Sequence, residues 1–299
     1  MLAKRLKSGD VIGIVSPAYA VAAGQYDGAI AALKALGYAV KTGAHLYGND
    51  YGYAATERER ADDFNAMIAD ETVSMVLFGG GYVSNEILPL VDFSMIAKNP
   101  KIIASYSDGT TLLNAITSRT ALVTYYGQRP GTFAELTDYN RRCFIENFVE
   151  TETPAFAKNG EWETLVPGRA EGTLTGGYVE NFALMLSGGY LRYGAGEPLV
   201  LFLEDHERFS SPARVSMYLS HIEQSGIIGA VKGLLFGHYS DAENAELTAR
   251  LERFGTRHGI PVVTCNDFGH GASNGILQIG RRAALDAEGQ TLRYAQGRA

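Results

Sequence analysis

Short apolar runs alternate with helically spaced apolar positions along the first 120 or so residues. Val11-Ile12-Gly13-Ile14-Val15 is an unbroken apolar run stopped by Ser16-Pro17, and it predicts a buried strand within residues 10–18. From Gln25 to Leu36 the apolar positions Ala29, Ile30, Leu33 and Leu36 recur at helical intervals. Gly37 closes that helix, and Tyr38-Ala39-Val40 restarts a strand. A second helix is predicted over 56–68, with Ala61, Phe64, Met67 and Ile68 on one face. Ser74 to Phe78 reads as a strand that runs straight into Gly79-Gly80-Gly81. Lys101 to Ala104 is the next strand, and a helical pattern begins just after it at Ser107.

Strands that alternate with helices in this way imply βαβ units and a mostly parallel sheet. Open α/β sheets bind ligands beyond the carboxyl ends of their strands. Both the triple glycine and Ser107 fall at such ends. The pattern breaks down between about residues 127 and 169, where Gln128-Arg129-Pro130-Gly131 and Lys158-Asn159-Gly160-Glu161 are turn-rich. Residues 128–170 are therefore expected to form a linker or hinge between a domain over 1–127 and a second over 171–299. The second half contains a strand over 198–203, a helix over 212–224 that Ser210 or Ser211 could cap, and a strand over 231–236. Strands are also expected over 261–264, 283–286 and 291–294, with Glu288-Gly289 turning the last hairpin.

Composition narrows the functional classes. The chain has 299 residues, 46% hydrophobic and 20% charged, which is the profile of a folded globular protein. A net charge of −7 argues against a nucleic-acid polymer or an anionic membrane as partner. Cys143 and Cys265 are too few for a disulfide framework and show no metal-ligand spacing. The charged N-terminal residues are followed by no apolar core of a signal peptide, and no apolar run approaches bilayer length. The expectation is a cytoplasmic protein.

The segment Ile102-Ile103-Ala104-Ser105-Tyr106-Ser107-Asp108-Gly109 reads as a strand, a sharp turn and a helix start. Ser107 would then stand at a helix mouth, beside unpaired N–H groups and the positive end of the helix dipole. This suits a nucleophile, although the pattern is not Gly-x-Ser-x-Gly. A plain N-cap by Ser107 or Asp108 satisfies the same pattern. The strand over 198–203 ends in Glu204-Asp205-His206-Glu207, a concentration of ionisable groups that could orient a histidine or form a solvated loop. Gly269-His270-Gly271 presents an imidazole between two glycines, as a general base or as a turn residue. The triple glycine lacks the Lys-Ser/Thr that follows in a phosphate loop. His45, His221, His238 and His258 share no spacing and read as structural or exposed, and His206 takes no assignment.

Taken together, several segments resemble the LD-carboxypeptidase family of serine peptidases, which includes the microcin C immunity proteins. The matching pieces are Gly9-Asp10-Val11-Ile12-Gly13-Ile14-Val15-Ser16-Pro17, Glu59-Arg60-Ala61-Asp62-Asp63-Phe64, and Gly80-Gly81-Tyr82-Val83-Ser84-Asn85-Glu86-Ile87-Leu88-Pro89. They continue through Pro100-Lys101, Tyr106-Ser107-Asp108, Leu201-Phe202-Leu203-Glu204-Asp205, Gly269-His270-Gly271, Ile279-Gly280 and Leu285-Asp286. Their order and separation over nearly the whole chain make the match specific.

The resemblance implies a Rossmann-like or flavodoxin-like parallel-sheet domain followed by a smaller α/β domain of the swivelling β/β/α type. It implies a triad in which Ser107 is the nucleophile, His270 the general base and Glu204 the carboxylate that orients it. Oxyanion donors would come from Asp108 and from Gly80 or Gly81. Ser84 and Asn85 are candidate substrate contacts or merely the cap of a helix over 86–90, and with the Leu88-Pro89 that follows they look closer to the immunity branch than to the Gly-Tyr-Gly loop of many carboxypeptidases. Trp162 in the expected linker could stack on a substrate base, cap a substrate cleft, or simply pack a loop. Two positions depart from the family pattern: Ser105 replaces a usual glycine, and Tyr178 follows Gly176-Gly177 where asparagine is commoner.

The implied activity is cleavage of a small peptide at an L,D amide bond, such as release of the terminal D-alanine of a murein tetrapeptide, through an acyl-serine and with no metal or organic cofactor. The alternative within the family is hydrolysis of a peptidyl-nucleotide conjugate. A non-catalytic two-lobe binder of small molecules is the alternative of another class. The resemblance also favours a homodimer.

Overall fold

The computed structural model describes residues 1–150, 154–194 and 196–295. The chain forms two compact units, Met1–Thr151 and Glu152–Ala299.

The first unit begins with β1 (Val11–Val15), α1 (Asp27–Ala35), β2 (Ala39–Thr42), α2 (Glu57–Ala69) and β3 (Val73–Phe78). It continues with α3 (Phe93–Lys98), β4 (Ile102–Ser105), α4 (Thr110–Thr120) and β5 (Thr124–Tyr126). These strands pair in the order β5-β4-β3-β1-β2, and every pairing is parallel. The apolar runs of β1, β3 and β4 explain their central places, because a strand covered on both faces has no polar side. Thr56 caps α2 by accepting the Glu59 N–H while the Glu59 carboxylate accepts the Thr56 N–H, a capping box.

The stretch 128–170, expected as a linker, is structured on both sides of the unit boundary. It carries α5 (Pro130–Ala134), α6 (Asp138–Phe144) and a π turn over Ile145–Val149 in the first unit, and β6 (Trp162–Val166) in the second. Phe133, Phe144 and Phe148 stack edge-to-face and are buried, with Tyr125 packed on Phe148. Helices of five and seven residues span fewer than two turns, too few repeats of the apolar period to stand out from an irregular stretch.

The second unit continues with β7 (Arg169–Tyr178), α7 (Val179–Met185), β8 (Leu199–Glu204), α8 (Pro212–Gln224) and β9 (Val231–His238). Then follow α9 (Ala245–His258), β10 (Val262–Gly269), the short β11 (Leu277–Ile279), β12 (Arg282–Asp286) and β13 (Thr291–Tyr294). Its sheet has the order β13-β12-β7-β8-β9-β10-β6. The four central strands are parallel, and antiparallel strands close both edges. Leu201, Leu203, Leu234, Phe236 and Val262 pack against Val215, Leu219, Leu251 and Phe254 of α8 and α9. The expected α/β class with a parallel N-terminal sheet is thus observed.

Candidate active site

In the first unit, the carboxyl ends of three adjacent strands converge. β3 ends in the glycine loop, β4 in the Ser107 turn, and β5 in Gly127-Gln128-Arg129. Ser107 has φ of +56°, the left-handed region that residues with a Cβ rarely occupy. Its backbone N–H donates to the Tyr126 hydroxyl at 3.0 Å, which fixes the turn from the neighbouring strand. A 3₁₀ turn over Ser107–Gly109 then leads directly into α4. This is a strained strand-to-helix elbow built without the Gly-x-Ser-x-Gly pattern.

A Cβ on Gly80 would stand 2.7 Å from the Ser107 Cβ, so only glycine permits this close approach. The equivalent atom on Gly81 would meet Tyr19 instead. Of the two glycines, Gly80 is therefore the one that faces the serine. Asp108 is buried, and its Oδ2 accepts the Ser84 N–H at 2.9 Å while its carbonyl accepts the Ser84 hydroxyl at 3.0 Å. Ser84, expected as a substrate contact, is buried and spends both groups on this tie. Asn85 beside it is exposed. Ser105, which replaces a usual glycine, donates its hydroxyl to the Phe78 carbonyl at 2.8 Å and lies over Gly109.

In the second unit, the carboxyl ends of β7, β8, β9 and β10 present Tyr178, Glu204, His238 and Gly269-His270. The ladder sets Tyr178 beside Glu204 and His238 beside Gly269. Glu204 is fully buried, and its Oε2 lies 2.8 Å from Nδ1 of His270. Gly269, with φ of +103°, turns the chain so closely over Glu204 that a Cβ there would lie 3.1 Å from Oε2. The imidazole of His270 stands 5.3 Å from the Tyr178 ring, 5.1 Å from Phe209 and 6.3 Å from His206, centroid to centroid. His206 in turn lies 5.5 Å from His238.

Electrostatics set these groups apart. Burial, and then the neighbouring imidazoles of His238 and His270, hold the His206 imidazole below its ordinary value. Burial pushes the Asp205 carboxyl up to about 6, with the adjacent Glu204 charge adding to the rise. Burial and the charges of Asp205 and Glu204 raise the Tyr178 phenol, which stays protonated.

The structure thus brings Glu204 and His270 together, and separately groups Ser107 with Gly80, Asp108 and Ser84. Trp162 follows its packing alternative rather than the stacking one. It opens β6, is 4% exposed, and donates its Nε1–H to Asp267 at 2.8 Å. Phe156 and Lys158 pack on its ring. Antiparallel pairing of Trp162 with Cys265 buries the indole, so it is a packing residue and not a free stacking surface. Sequence reasoning missed Tyr126 and His238, because nothing in the spacing shows that a strand end places them beside the elbow or the His270 turn. Among the described residues no group of three or more His, Cys, Asp or Glu could hold a metal ion, and no helix is long and apolar enough to cross a membrane.

The first unit thus holds a strained serine beside a glycine loop, and the second, by itself, a histidine held by a buried carboxylate. The profile of the LD-carboxypeptidase N-terminal domain matches residues 12–127, and that of the LD-carboxypeptidase C-terminal domain matches residues 171–285. The chain belongs to the LD-carboxypeptidase family, a family of serine peptidases. It is 30% identical to the probable murein peptide carboxypeptidase of Bacillus subtilis, over 96% of this chain and 92% of that one. The fold matches the crystal structure of an MccF-like protein from Bacillus anthracis with a TM-score of 0.89, at 24% identity and over the whole of both chains. It also matches the muramoyltetrapeptide carboxypeptidase from Oxalobacter formigenes, with a TM-score of 0.81 and 26% identity over 95% of this chain and 97% of that one.

Proposed function

We propose that the protein is a serine carboxypeptidase that cleaves an L,D amide bond in a small murein-type peptide and releases a terminal D-amino acid. The observation that carries this reading is the fully buried Glu204 bonded to Nδ1 of His270 in a chain whose relatives are named as murein peptide carboxypeptidases. In this reading Ser107, His270 and Glu204 act as nucleophile, general base and orienting carboxylate. Glu204 holds the Nδ1–H tautomer, which leaves Nε2 of His270 to accept the Ser107 proton. The Ser107 oxygen adds to the carbonyl carbon. Gly80 and Asp108 N–H groups stabilise the oxyanion, an effect worth roughly 3–4 kcal/mol per donor. His270 then returns the proton to the leaving amine, and water hydrolyses the acyl-Ser107 by the same route in reverse roles.

The Ser107 backbone N–H is not available as an oxyanion donor, because Tyr126 already accepts it. The close approach of Gly80 to Ser107 supports Gly80 over Gly81 in that role. We further propose that the protein acts in the cytoplasm as a homodimer. Mass spectrometry tests the reaction: wild type and Ser107→Ala are incubated with a murein L,D-tetrapeptide and, in parallel, with a peptidyl-sulfamoyl adenosine. Loss of D-alanine with wild type only is the expected result. Cleavage of the nucleotide conjugate alone moves the protein to the immunity branch of the family.

A further inference from the structure

Arg129 follows the carboxyl end of β5, the strand next to the one that carries the serine elbow. Its guanidinium lies 5.0 Å from the centre of the Tyr106 ring, and Tyr106 immediately precedes Ser107. The side chain folds back across the first turn of α5, into a notch left by Gly131, where a Cβ would collide with the guanidinium. Its backbone N–H donates to the Thr132 hydroxyl at 3.3 Å, which anchors the residue at the helix start. The charge bears on the neighbouring Tyr26 phenol, whose hydroxyl in turn touches the glycine loop at Gly79.

What Arg129 lacks is an acid. Among the described residues no carboxylate lies within ion-pair distance of its guanidinium, although it is half-buried. Two arginines of the first unit do pair with acids: buried Arg60 with Glu86 at 2.6 Å, and Arg142 with Glu146 at 3.9 Å. Withdrawing an arginine from water without a counter-charge is costly, and a fixed, partly desolvated guanidinium is well suited to bind a carboxylate through two parallel hydrogen bonds.

A carboxypeptidase must read a free carboxylate that is separated from the scissile nitrogen by a single carbon. The cation that reads it has to stand within about one residue's length of the reacting bond. Arg129 stacks on the residue next to the nucleophile, and Tyr126, three residues before it, holds the nucleophile's own N–H.

We infer that Arg129 is the specificity residue that binds the C-terminal carboxylate of the residue released. The inference rests on the carboxypeptidase reading above and adds the chemistry by which the leaving residue is recognised. Arg129 does not take part in proton transfer. It favours peptides with a free terminal carboxylate over the same peptides ending in a carboxamide.

The test is calorimetric binding to the Ser107→Ala protein, with a murein tetrapeptide and its C-terminal carboxamide as probes. The free acid is expected to bind at least tenfold more tightly than the amide. Adding Arg129→Gln should abolish that preference, while Arg129→Lys, which keeps the charge without the fork, should retain part of it. Thermal melts of each variant verify that the fold is intact. In the otherwise wild-type enzyme, Arg129→Gln should raise KM for the free acid far more than it lowers kcat. An acid-to-amide ratio unchanged by Arg129→Gln overturns the inference, and so does a protein that binds neither probe. Failure of the carboxypeptidase reading shows separately, as absence of D-alanine release by wild type.

Discussion

Oε2 of Glu204 lies 2.8 Å from Nδ1 of His270, and the Glu204 side chain is wholly withdrawn from solvent. A carboxylate in that position accepts only, so it admits one imidazole tautomer. Glu204→Gln puts a donor in its place and permits the opposite tautomer. We predict a fall in kcat of roughly 10³–10⁴-fold, the scale seen when a triad carboxylate becomes an amide. Steady-state kinetics on the tetrapeptide, with circular dichroism to verify the fold, measure it. A loss below tenfold would remove Glu204 from the proposed triad.

Gly80 sits against Ser107 without a left-handed backbone, so alanine there is opposed by contact and not by conformation. The added methyl would have to push Ser107 or the loop aside. Gly80→Ala is expected to cut kcat/KM about 100-fold or more, as loss of one oxyanion donor does. The same overpacking should lower the unfolding free energy by roughly 1–3 kcal/mol without unfolding the protein. Equal activity of the variant would show that the glycine loop is not part of the reacting site.

Asp205 gives a pH signature in stability. Its carboxyl in the folded protein is raised by burial to about 6, above its unfolded value of 3.8. Between those two values the folded state keeps a proton that the unfolded state has released, so this group makes stability fall as pH rises through that window. Its unfavourable contribution is fully present above about pH 6 and absent below pH 3.8, and is on the order of 3 kcal/mol. Asp205→Asn keeps an oxygen to accept the His206 N–H, which now donates to Oδ1 at 2.7 Å. Urea unfolding should find the variant more stable than wild type at pH 7.5, with the difference gone near pH 4.

Asp267 is a stability determinant separate from the chemistry. Its carboxylate accepts the Asn159 N–H at 2.9 Å, the Gly160 N–H at 2.8 Å and the Trp162 indole N–H at 2.8 Å. Asp267→Ala leaves these donors without their acceptor, and is predicted to cost roughly 3–5 kcal/mol of unfolding free energy. Trp162→Phe removes one of the bonds and should cost about 1–2 kcal/mol while leaving KM unchanged. A large rise in KM for Trp162→Phe would restore the indole as a substrate contact.

The parts of this molecule that were legible in the sequence are those where a local signal has a single physical meaning. The run Val11–Val15 can only be buried, and Thr56 with Glu59 can cap a helix without help from the rest of the fold. Glu204 and His270 stand out as candidates because a strand end and a glycine-flanked histidine are local features, while the roles assigned to them come from the family resemblance. β5 was not found, since three residues carry no period. β7 was hidden by Gly172, Gly176 and Gly177, which break the alternation but let the strand press against β8. α9 had a readable pattern in Leu247, Leu251 and Phe254, with Asn244 as its cap, and was passed over. Tyr126, Arg129, His206 and His238 were beyond sequence reasoning for another reason. Their neighbours come from other strands, and the sheet order that sets those neighbours is not written in any one segment.

The left-handed serine has a consequence for how this protein could change over time. Holding a residue with a Cβ at φ of +56° costs about 1–2 kcal/mol. Glycine would relieve that cost, offset by its roughly 0.5–1 kcal/mol of added chain entropy when unfolded. Ser107→Gly should therefore leave the protein inactive and, if anything, harder to melt, by up to about 1 kcal/mol. Drift toward robustness alone would thus tend to erase the proposed nucleophile. If Ser107 acts as proposed, a descendant released from that chemistry should lose the serine before it loses the fold.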